Sequence, residues 1–407
     1  MSPSPLRDLL GREMPPAPAY GTGAVADALA SAAALHRPVQ ALPEDHRPAG
    51  IGDRLGLSAA LERAGRPPGS YRNVCLVLVD GLGAEQLERH LGYAPTLRRA
   101  ARLADLDAAF PSTTAASLAT LGTGQPPGRT GMVGYDVVDP SRRVVVNQLS
   151  GWDPQVLPED WQPLPTIFQQ LEGLTDVVTV SQRAYAGSAL TRAALRGGDF
   201  VAAGSTVARV AKAAQRLQSP EPTLMYLYWP ELDQAGHRYG VDSPAWREAL
   251  EELDSGLRRL RSRAGEETLI LLTADHGMVD VAAEHRISYD EHPELVAGVE
   301  LTAGEPRLVQ LHLADPEDET ARGRLIAAWG QRFGDRAWIL DREDLVRAGC
   351  FGDLREGVRG RIGDLLIAAS GELALYDLRR VSPLAKGMVG QHGSWTDAER
   401  KVPLLAL

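Results

Sequence analysis

Short runs of consecutive apolar residues recur along the chain, each about as long as a buried strand. The first is Val74–Val79, with the sequence V-C-L-V-L-V, and the later ones are Val177–Val180, Leu224–Tyr228, Leu269–Leu272 and Leu365–Ala368. An unbroken apolar run is typical of a strand that is covered on both faces. Helical patterns lie between the runs, at Gly83–His90, Pro165–Leu171, Thr206–Leu217 and Pro244–Ala264. This alternation predicts an α/β fold with a mostly parallel central sheet and helices on both faces.

Two regions depart from this alternation and suggest a division of the chain. Residues 1–70 are rich in Pro and Ala, with a helical stretch near Ala24–Leu35, and we expect an N-terminal arm packed on the body. Residues 285–360 are predicted to form a small inserted α+β cap. Its predicted elements are strand Leu308–Leu313, helix Glu319–Phe333, strand Ala337–Leu340 and helix Arg342–Ala348. Residues 71–284 and 361–407 then make up the main α/β domain.

Composition and charge narrow the function classes. The chain is 44% hydrophobic and 24% charged, which is typical of a globular protein. Its formal charge of −10 argues against a surface that binds a nucleic-acid polymer. No run reaches about 18 apolar residues and residues 1–20 lack an apolar core, so we expect no membrane span and no signal peptide. Of the two cysteines, Cys75 lies in an apolar run, which favours a buried thiol and a reducing, cytoplasmic location.

Asp and His residues follow the predicted strands at the points where they open into loops. In open α/β sheets, ligands bind outside the carboxyl ends of the strands. Carboxylates and imidazoles there are the ligand types of a transition metal. Each residue alone has an ordinary alternative, as a helix N-cap or a loop histidine. Their shared position indicates a metal site formed by Asp80, Asp233, His237, Asp275, His276 and His392.

A hydroxyl-rich turn supplies candidate nucleophiles. The sequence Phe110-Pro111-Ser112-Thr113-Thr114 leads into a predicted helix of small residues. A helix N-terminus favours a phosphate group, and a hydroxyl bound to a divalent cation can act as a nucleophile. The alternative is an ordinary Ser or Thr N-cap.

These motifs, in this order, resemble the alkaline phosphatase superfamily and most closely its nucleotide pyrophosphatase/phosphodiesterase branch. The resemblance implies two divalent metal ions, Zn²⁺ with Mn²⁺ as the alternative. By this resemblance, Asp233, His237 and His392 are expected to hold one ion. Asp80, Asp275 and His276 are expected to hold the other, with Thr114 Oγ as its fourth ligand. The resemblance makes Thr114 the nucleophile, with Thr113 as the second choice.

The implied activity is hydrolysis of a phosphodiester or pyrophosphate bond in a small phosphorylated substrate, through a covalent phospho-threonine. Two departures from the branch affect the substrate. An Asn that holds a phosphate oxygen in that branch is replaced here by Tyr135, so Tyr135 and Asn147 are the candidate substrate contacts. Ala116-Ser117-Leu118 stands where many members have Pro-Asn-His.

Other functions remain open on the same scaffold. A phosphomonoesterase or phosphonate hydrolase usually needs an added cation, for which Arg129, Arg286 and Arg307 are candidates. A phosphosugar mutase also stays open. A sulfatase is disfavoured because neither Cys75 nor Cys350 lies in a C-x-P-x-R stretch. The non-enzyme alternative is a catalytically silent member that binds metal or ligand.

Overall fold

The computed structural model describes residues 6–66 and 69–407. The strands of this part of the chain are β1 Leu6–Arg7, β2 Glu13–Met14, β3 Asn73–Val79, β4 Ala101–Asp107, β5 Asp136–Asp139, β6 Val144–Asn147, β7 Asp176–Ser181, β8 Asp199–Ala202, β9 Thr223–Trp229, β10 Thr268–Ala274, β11 Val279–Asp280, β12 Arg286–Ser288, β13 Val299–Glu305, β14 Leu308–Leu313, β15 Ala337–Asp341, β16 Leu365–Ala369, β17 Ala374–Tyr376, β18 Gly390–Gln391 and β19 Lys401–Ala406.

The α-helices of the same residues are α1 Ala28–Ala34, α2 Arg37–Gln40, α3 Leu57–Arg63, α4 Ala84–His90, α5 Pro95–Arg99, α6 Thr114–Thr123, α7 Pro127–Thr130, α8 Pro158–Trp161, α9 Ile167–Leu171, α10 Ala189–Ala194, α11 Thr206–Leu217, α12 Glu231–Tyr239, α13 Pro244–Arg263, α14 Glu319–Phe333, α15 Arg342–Arg347 and α16 Asp397–Arg400. Helix α9 begins later than predicted because Thr166 is its N-cap, and the Thr166 side chain accepts a hydrogen bond from the Gln169 N–H.

The central sheet has the strand order β4-β19-β10-β3-β9-β7-β8. Strands β10, β3, β9, β7 and β8 pair in parallel, and β19 is antiparallel to both of its neighbours. β3, β9 and β10 are buried along their whole length, as their apolar runs predict. Helices flank this sheet, so the predicted α/β class is confirmed.

A second, antiparallel sheet has the order β13-β14-β16-β15. It contains the run Leu365–Ala368, which we had predicted among the strands of the central sheet, and that assignment is wrong. The strand is apolar throughout because both of its faces are covered. Leu366 and Ala368 face the main core, whereas Leu365 and Ile367 pack in a second core with Trp329 of α14. An apolar run shows that a strand is covered on both faces but not which sheet it joins.

The N-terminal segment contacts both cores. Helix α1 is buried in the main core and packs against α6 and β3. The β1–β2 hairpin lies on the second sheet, where the Leu9 N–H donates to the Ile339 carbonyl (2.8 Å) and Trp338 Nε1 donates to the Glu13 carbonyl (3.1 Å). The proposed division at residues 70, 285 and 360 stays a prediction.

Across residues 6–66 and 69–407, no helix combines the length and the apolar character that crossing a bilayer requires. Cys75 and Cys350 are both buried free thiols, and burial raises the pKa of each to about 12.

Candidate active site

Three neighbouring strands bring the acidic residues together. β3 pairs with β10 on one side and with β9 on the other, with Val79 opposite both Ala274 and Trp229. The three strands therefore end at the same level. Asp80 directly follows β3 and Asp275 directly follows β10, while Asp233 lies in the first turn of α12 after β9.

The first group of candidate ligands consists of Asp233, His237 and His392. Asp233 and His237 are one turn apart on α12, so their side chains lie on the same helix face. His237 Nε2 is 3.3 Å from Asp233 Oδ1, and His392 Nε2 is 4.0 Å from the same oxygen. One ligand atom from each residue lies within 4.8 Å of the others. The three side chains are partly exposed, so this group faces the solvent side of the site.

The second group consists of Asp80, Asp275 and His276. His276 Nε2 is 3.5 Å from Asp80 Oδ1 and 3.4 Å from Asp275 Oδ2. These ligand atoms also lie within 4.8 Å of one another, and all three residues are buried. Thr114 Oγ1 lies 3.1 Å from His276 Nε2, which places the hydroxyl beside this group. The family resemblance implied the same division of the six residues into two groups.

Backbone carbonyls orient all three imidazoles in the same way. Nδ1 lies 2.8 Å from the Gly390 carbonyl in His237, 3.0 Å from the Gly277 carbonyl in His276, and 3.0 Å from the Ser112 carbonyl in His392. A carbonyl oxygen only accepts, so each Nδ1 must carry the proton and donate it. Each Nε2 then faces the acidic residues, which is the orientation of a metal-binding histidine.

The two groups lie side by side. The rings of His276 and His392 stack with centroids 3.6 Å apart. Gly81 permits this approach because a Cβ atom at this position would lie 3.1 Å from both Cα and Cβ of Asp233, and its φ of 73° is in the left-handed region. The Gly81 N–H also donates to Asp275 Oδ1 (3.2 Å) and thereby positions that carboxylate.

The three aspartates give the site negative charge that bound cations would neutralise. Burial, reinforced by the charges of Asp275 and Asp233, raises the pKa of Asp80 well above its ordinary value, and burial raises the pKa of Asp275 as well. Burial and the neighbouring His276 and His237 lower the pKa of His392. Within the two ligand groups, one oxygen of each aspartate is buried without a hydrogen-bond partner in the described protein: Asp80 Oδ1, Asp233 Oδ1 and Asp275 Oδ2. Unpartnered carboxylate oxygens that face imidazole Nε2 atoms fit two divalent metal ions.

The candidate nucleophile lies at the start of a well-anchored helix. Thr114 is the first residue of α6, and Thr113 is its N-cap in an extended conformation. Ser117 Oγ, less than one turn later, donates to the Asp275 carbonyl (2.8 Å). Ser112 Oγ donates to the Ser394 carbonyl (2.6 Å) and accepts from the N–H of the residue after His392 (3.2 Å). The helix start is thus fixed to the loops that carry both ligand groups.

A cavity of about 790 Å³ opens onto both groups and Thr114. Tyr135 lines it, as does Thr113. Asn147 is not among the lining residues, and its amide instead donates to Asp136 Oδ1 (2.7 Å) while its oxygen accepts from the backbone N–H groups of residues 149–151. The structure therefore gives no support to Asn147 as a substrate contact.

None of the three arginines considered for a monoesterase lines the cavity. Arg307 is buried in an ion pair with Glu399 (2.7 Å), and Arg286 donates to the carbonyls of Val281 and Lys386. Arg129 is exposed. Among the described residues, the cavity wall contains no Arg or Lys at all.

Two residues of the site were not predicted from the sequence. The Tyr228 hydroxyl, in β9, donates to Asp80 Oδ2. Glu305, at the end of β13, accepts from the Tyr135 N–H (3.0 Å), while its other oxygen has no partner and the residue lines the cavity. Burial raises the pKa of Glu305. A signal for Tyr228 exists, since β9 reads T-L-M-Y-L-Y-W and places two tyrosines on one face of a buried strand.

The sequence model of the type I phosphodiesterase / nucleotide pyrophosphatase family matches residues 74–395. The chain belongs to this family. Among curated proteins, it is 32% identical over 90 residues to human ectonucleotide pyrophosphatase/phosphodiesterase family member 5. It is 35% identical over 78 residues to the bovine bis(5'-adenosyl)-triphosphatase of the same group. These alignments cover 21% and 18% of this chain, and only 19% and 17% of the relatives' length. Family membership confirms the resemblance to the nucleotide pyrophosphatase/phosphodiesterase branch.

Solved structures show the same fold. Murine ectonucleotide pyrophosphatase/phosphodiesterase 5 superimposes with a TM-score of 0.63 at 18% identity, covering 82% of this chain and 87% of that one. An inactive form of that murine protein was solved in complex with AMP. Phosphonoacetate hydrolase from Sinorhizobium meliloti gives a TM-score of 0.62 at 21% identity, covering 83% and 90%.

Proposed function

We propose that this chain is a phosphodiesterase or pyrophosphatase that uses two divalent metal ions and has Thr114 as its nucleophile. We assign the ions as Zn²⁺. One observation carries the proposal: the Thr114 hydroxyl lies 3.1 Å from His276 Nε2, beside one group of three candidate ligands and next to the other. Both groups mix imidazole and carboxylate, as catalytic zinc sites do, although Mn²⁺ accepts the same ligands.

Asp233, His237 and His392 are the residues to hold one ion, and Asp80, Asp275 and His276 those to hold the other. Bound there, the ions supply positive charge that lowers the pKa of a nearby hydroxyl and stabilises negative charge on phosphoryl and leaving-group oxygens. Thr114 Oγ releases its proton to solvent and attacks phosphorus, so that a Thr–O–P bond forms as the bond to the leaving oxygen breaks. Water then cleaves the Thr–O–P bond and restores the hydroxyl.

The backbone of α6 contributes to this reaction. The N–H groups of the first helical turn have no partner within the helix and lie at the positive end of its dipole. They point out of the same end of the helix that presents Thr114. We therefore assign the N–H of Thr114 to a non-bridging phosphate oxygen, a role that replaces part of what an asparagine does elsewhere in the family.

The cavity wall favours a diester over a monoester. A monoester or phosphonate substrate carries an additional negative charge, which a buried site balances with an Arg or Lys. The described cavity wall contains neither, and it includes the acidic residues Asp80, Asp233 and Glu305. A phosphomonoesterase or phosphonate hydrolase is thus the second candidate, for which the fold likeness to phosphonoacetate hydrolase is the only support.

The nucleophile assignment is tested with Thr114→Ala and its neighbour Thr113→Ala on metal-loaded protein. With bis(4-nitrophenyl) phosphate, we expect Thr114→Ala to lose at least about a thousand-fold in kcat, since no other group replaces a lost nucleophile. Thr113→Ala, which removes a hydroxyl from the same cavity wall, should keep most of the activity. Metal content is measured for both variants.

Two results would count against this function. A Thr114→Ala variant that turns over the diester like wild type, with full metal content, would reject the covalent mechanism. Wild-type protein with full metal that cleaves no diester, monoester, phosphonate or dinucleotide would favour the catalytically silent alternative. On the same panel, we expect the diester to be cleaved faster than 4-nitrophenyl phosphate.

The proposal includes a small phosphorylated substrate and a reducing, cytoplasmic location. Support for the location is limited to the two buried free thiols. The murine relative's complex with AMP supports a nucleotide-sized substrate.

A further inference from the structure

Part of the cavity wall is formed by side chains that do not belong to the reacting groups. Several of these side chains are apolar and come from α6, α10 and the strands beside them: Leu118, Leu190, Leu195 and Phe200. Leu118 lies one helical turn beyond Thr114, so this part of the cavity, which we call the rear chamber, starts directly behind the nucleophile. None of the functional assignments above uses it.

Three buried hydroxyls face the rear chamber without a partner. They belong to Thr179, Ser181 and Tyr226, which are 4%, 2% and 1% exposed and all line the cavity. None of the three hydroxyl oxygens has a hydrogen-bond partner in the described protein. A hydroxyl buried without a partner costs on the order of 1–3 kcal/mol, so three of them around one space indicate a ligand that satisfies them.

The sheet register places these hydroxyls together. Thr179 of β7 pairs with Tyr226 of β9 on one side and with Phe200 of β8 on the other. Ser181 is two residues further along β7, and Tyr228, which contacts Asp80, is two residues beyond Tyr226. Two residues of a strand span about 7 Å, so the backbone positions of Thr179 and Tyr226 lie about that far behind Tyr228, whereas Ser181 is level with Tyr228.

The chemistry of the rear chamber excludes a charged occupant. The leucine, phenylalanine and hydroxyl side chains assigned to the rear chamber are all neutral, and burial raises the pKa of Tyr226 well above its ordinary value, so its hydroxyl keeps its proton. A charged group placed there would lose its hydration without gaining a counter-charge. A simple hydrocarbon would leave the three hydroxyls unsatisfied. The combination of apolar walls with hydroxyls suits a neutral ring that carries its own polar atoms.

We propose that the rear chamber binds a compact, neutral ring bearing hydrogen-bonding heteroatoms, linked through oxygen to the phosphorus that Thr114 attacks. This inference rests on the proposed function for the link to phosphorus. Thr179, Ser181 and Tyr226 are specificity-determining residues that hydrogen-bond the ring. Substrates with a cationic or carboxylate-bearing group in that position are poor ones.

Binding is measured without turnover by ligand-observed NMR on metal-loaded protein, with resorcinol and toluene as probes. The variants Tyr226→Phe, Thr179→Val and Ser181→Ala each remove a hydroxyl and keep the shape of the side chain. We expect each to weaken resorcinol binding by about five-fold, the effect of one neutral hydrogen bond, and to leave toluene binding unchanged. Thr273→Val is the matched control, because Thr273 Oγ1 is also buried and unpartnered but does not line the cavity.

Resorcinol affinities that are equal in wild type and all three variants would overturn the proposal, since the hydroxyls would then bind only water.

The kinetic counterpart compares kcat/KM for methyl 3-hydroxyphenyl phosphate and methyl phenyl phosphate. The ratio of the two should fall by about five-fold in each variant but not in Thr273→Val. Hydroxyl-dependent resorcinol binding without cleavage of any ester would reject the proposed function and keep the rear chamber as a binding site. An unchanged ratio in an active enzyme would reject the chamber's role in specificity.

Discussion

The histidines of the site are positioned by the protein backbone and not by acidic side chains. His237, His276 and His392 each donate from Nδ1 to a backbone carbonyl oxygen next to the site, in strand β18 for His237 and in loops for the other two. A backbone carbonyl fixes the tautomer without adding charge. Within the two ligand groups, the negative charge is therefore carried by the three aspartates, where a cation can neutralise it.

Tyr228 should tune the metal group that contains Asp80. Its hydroxyl donates to Asp80 Oδ2 and leaves Oδ1 free, so Tyr228→Phe removes the group that orients this carboxylate. We expect metal affinity at the Asp80, Asp275 and His276 group to fall by about ten-fold or more, as for other residues that support a ligand. A chelator competition titration measures this. Tyr226→Phe, two residues away on the same strand face, is the control, and equal affinities in the two variants would argue against the role of Tyr228.

Gly81 should be required for the two groups of metal ligands to lie side by side. In Gly81→Ala the new methyl group meets the backbone of Asp233, and the residue must also adopt a positive φ. Gly173→Ala has nearly the same φ, 78° against 73°, but nothing lies within 4 Å of its added Cβ. Both variants should lose about 1 kcal/mol of stability from the backbone conformation. Only Gly81→Ala should also lose metal binding and diesterase activity. Unimpaired metal binding in Gly81→Ala would show that the close approach is not needed.

Residues of the site differed in how well the sequence revealed them. Asp80, Asp275 and His276 could be predicted as ligands because they follow the apolar strands β3 and β10, at the strand ends where ligands are expected. Tyr228 and Glu305 were not predicted, because their partners are far away in the chain: Tyr228 contacts a residue 148 positions distant and Glu305 one 170 positions distant. Which residue each of them contacts depends on the packing of elements, and the two tyrosines of β9 indicate locally only that Tyr226 and Tyr228 share a strand face.

Among the elements, the segment around α1 and α2 is attached to the body through a buried histidine. His36, the N-cap of α2, is fully buried, and its Nε2 lies 2.7 Å from Thr175 Oγ1. Burial lowers the pKa of His36 to about 4, so the folded protein holds it neutral. Attachment of this segment should consequently weaken in acid.

The sign of this effect follows from linkage. The pKa is near 6.5 in the unfolded chain and about 4 in the folded one, so the contribution of His36 to stability is complete above pH 6.5 and is lost as the pH falls toward 4. Over that interval it is on the order of 3 kcal/mol at most. In urea unfolding at pH 7, 5.5 and 4.5, His36→Gln should lose less stability with falling pH than wild type. The exposed His46→Gln is the control, and parallel pH profiles for His36→Gln and wild type would contradict the prediction.

Strands of the central sheet were predicted correctly where an unbroken apolar run marked them. The runs at β3, β7, β9 and β10 became strands of the central sheet because consecutive apolar residues need cover on both faces. The edge strand β4 was missed since its sequence A-R-L-A-D-L-D alternates and most of its residues are partly exposed. β16 was assigned to the wrong sheet because a strand between two cores has the same composition as one in the centre of an α/β sheet.

At the scale of the whole molecule, the two sheets and the N-terminal segment surround a single site. The central sheet supplies the acidic strand ends, β18 carries His392 toward them, and β13 of the second sheet contributes Glu305 to the cavity wall. The class of the fold was predictable because strand and helix patterns alternate over much of the chain. The way the second sheet closes one side of the cavity was not, since it depends on contacts between segments that are distant in sequence.

Metal content tests the central claim most directly, because the whole account depends on two cation-binding groups. After chelation and reloading with Zn²⁺, elemental analysis should find two ions per chain in wild type. It should find one in His237→Ala and one in Asp275→Asn, which each disrupt a different group. Chelated protein should be inactive and regain activity with Zn²⁺. A wild-type protein that binds no zinc, or the same zinc content in wild type and both variants, would contradict the two-metal site.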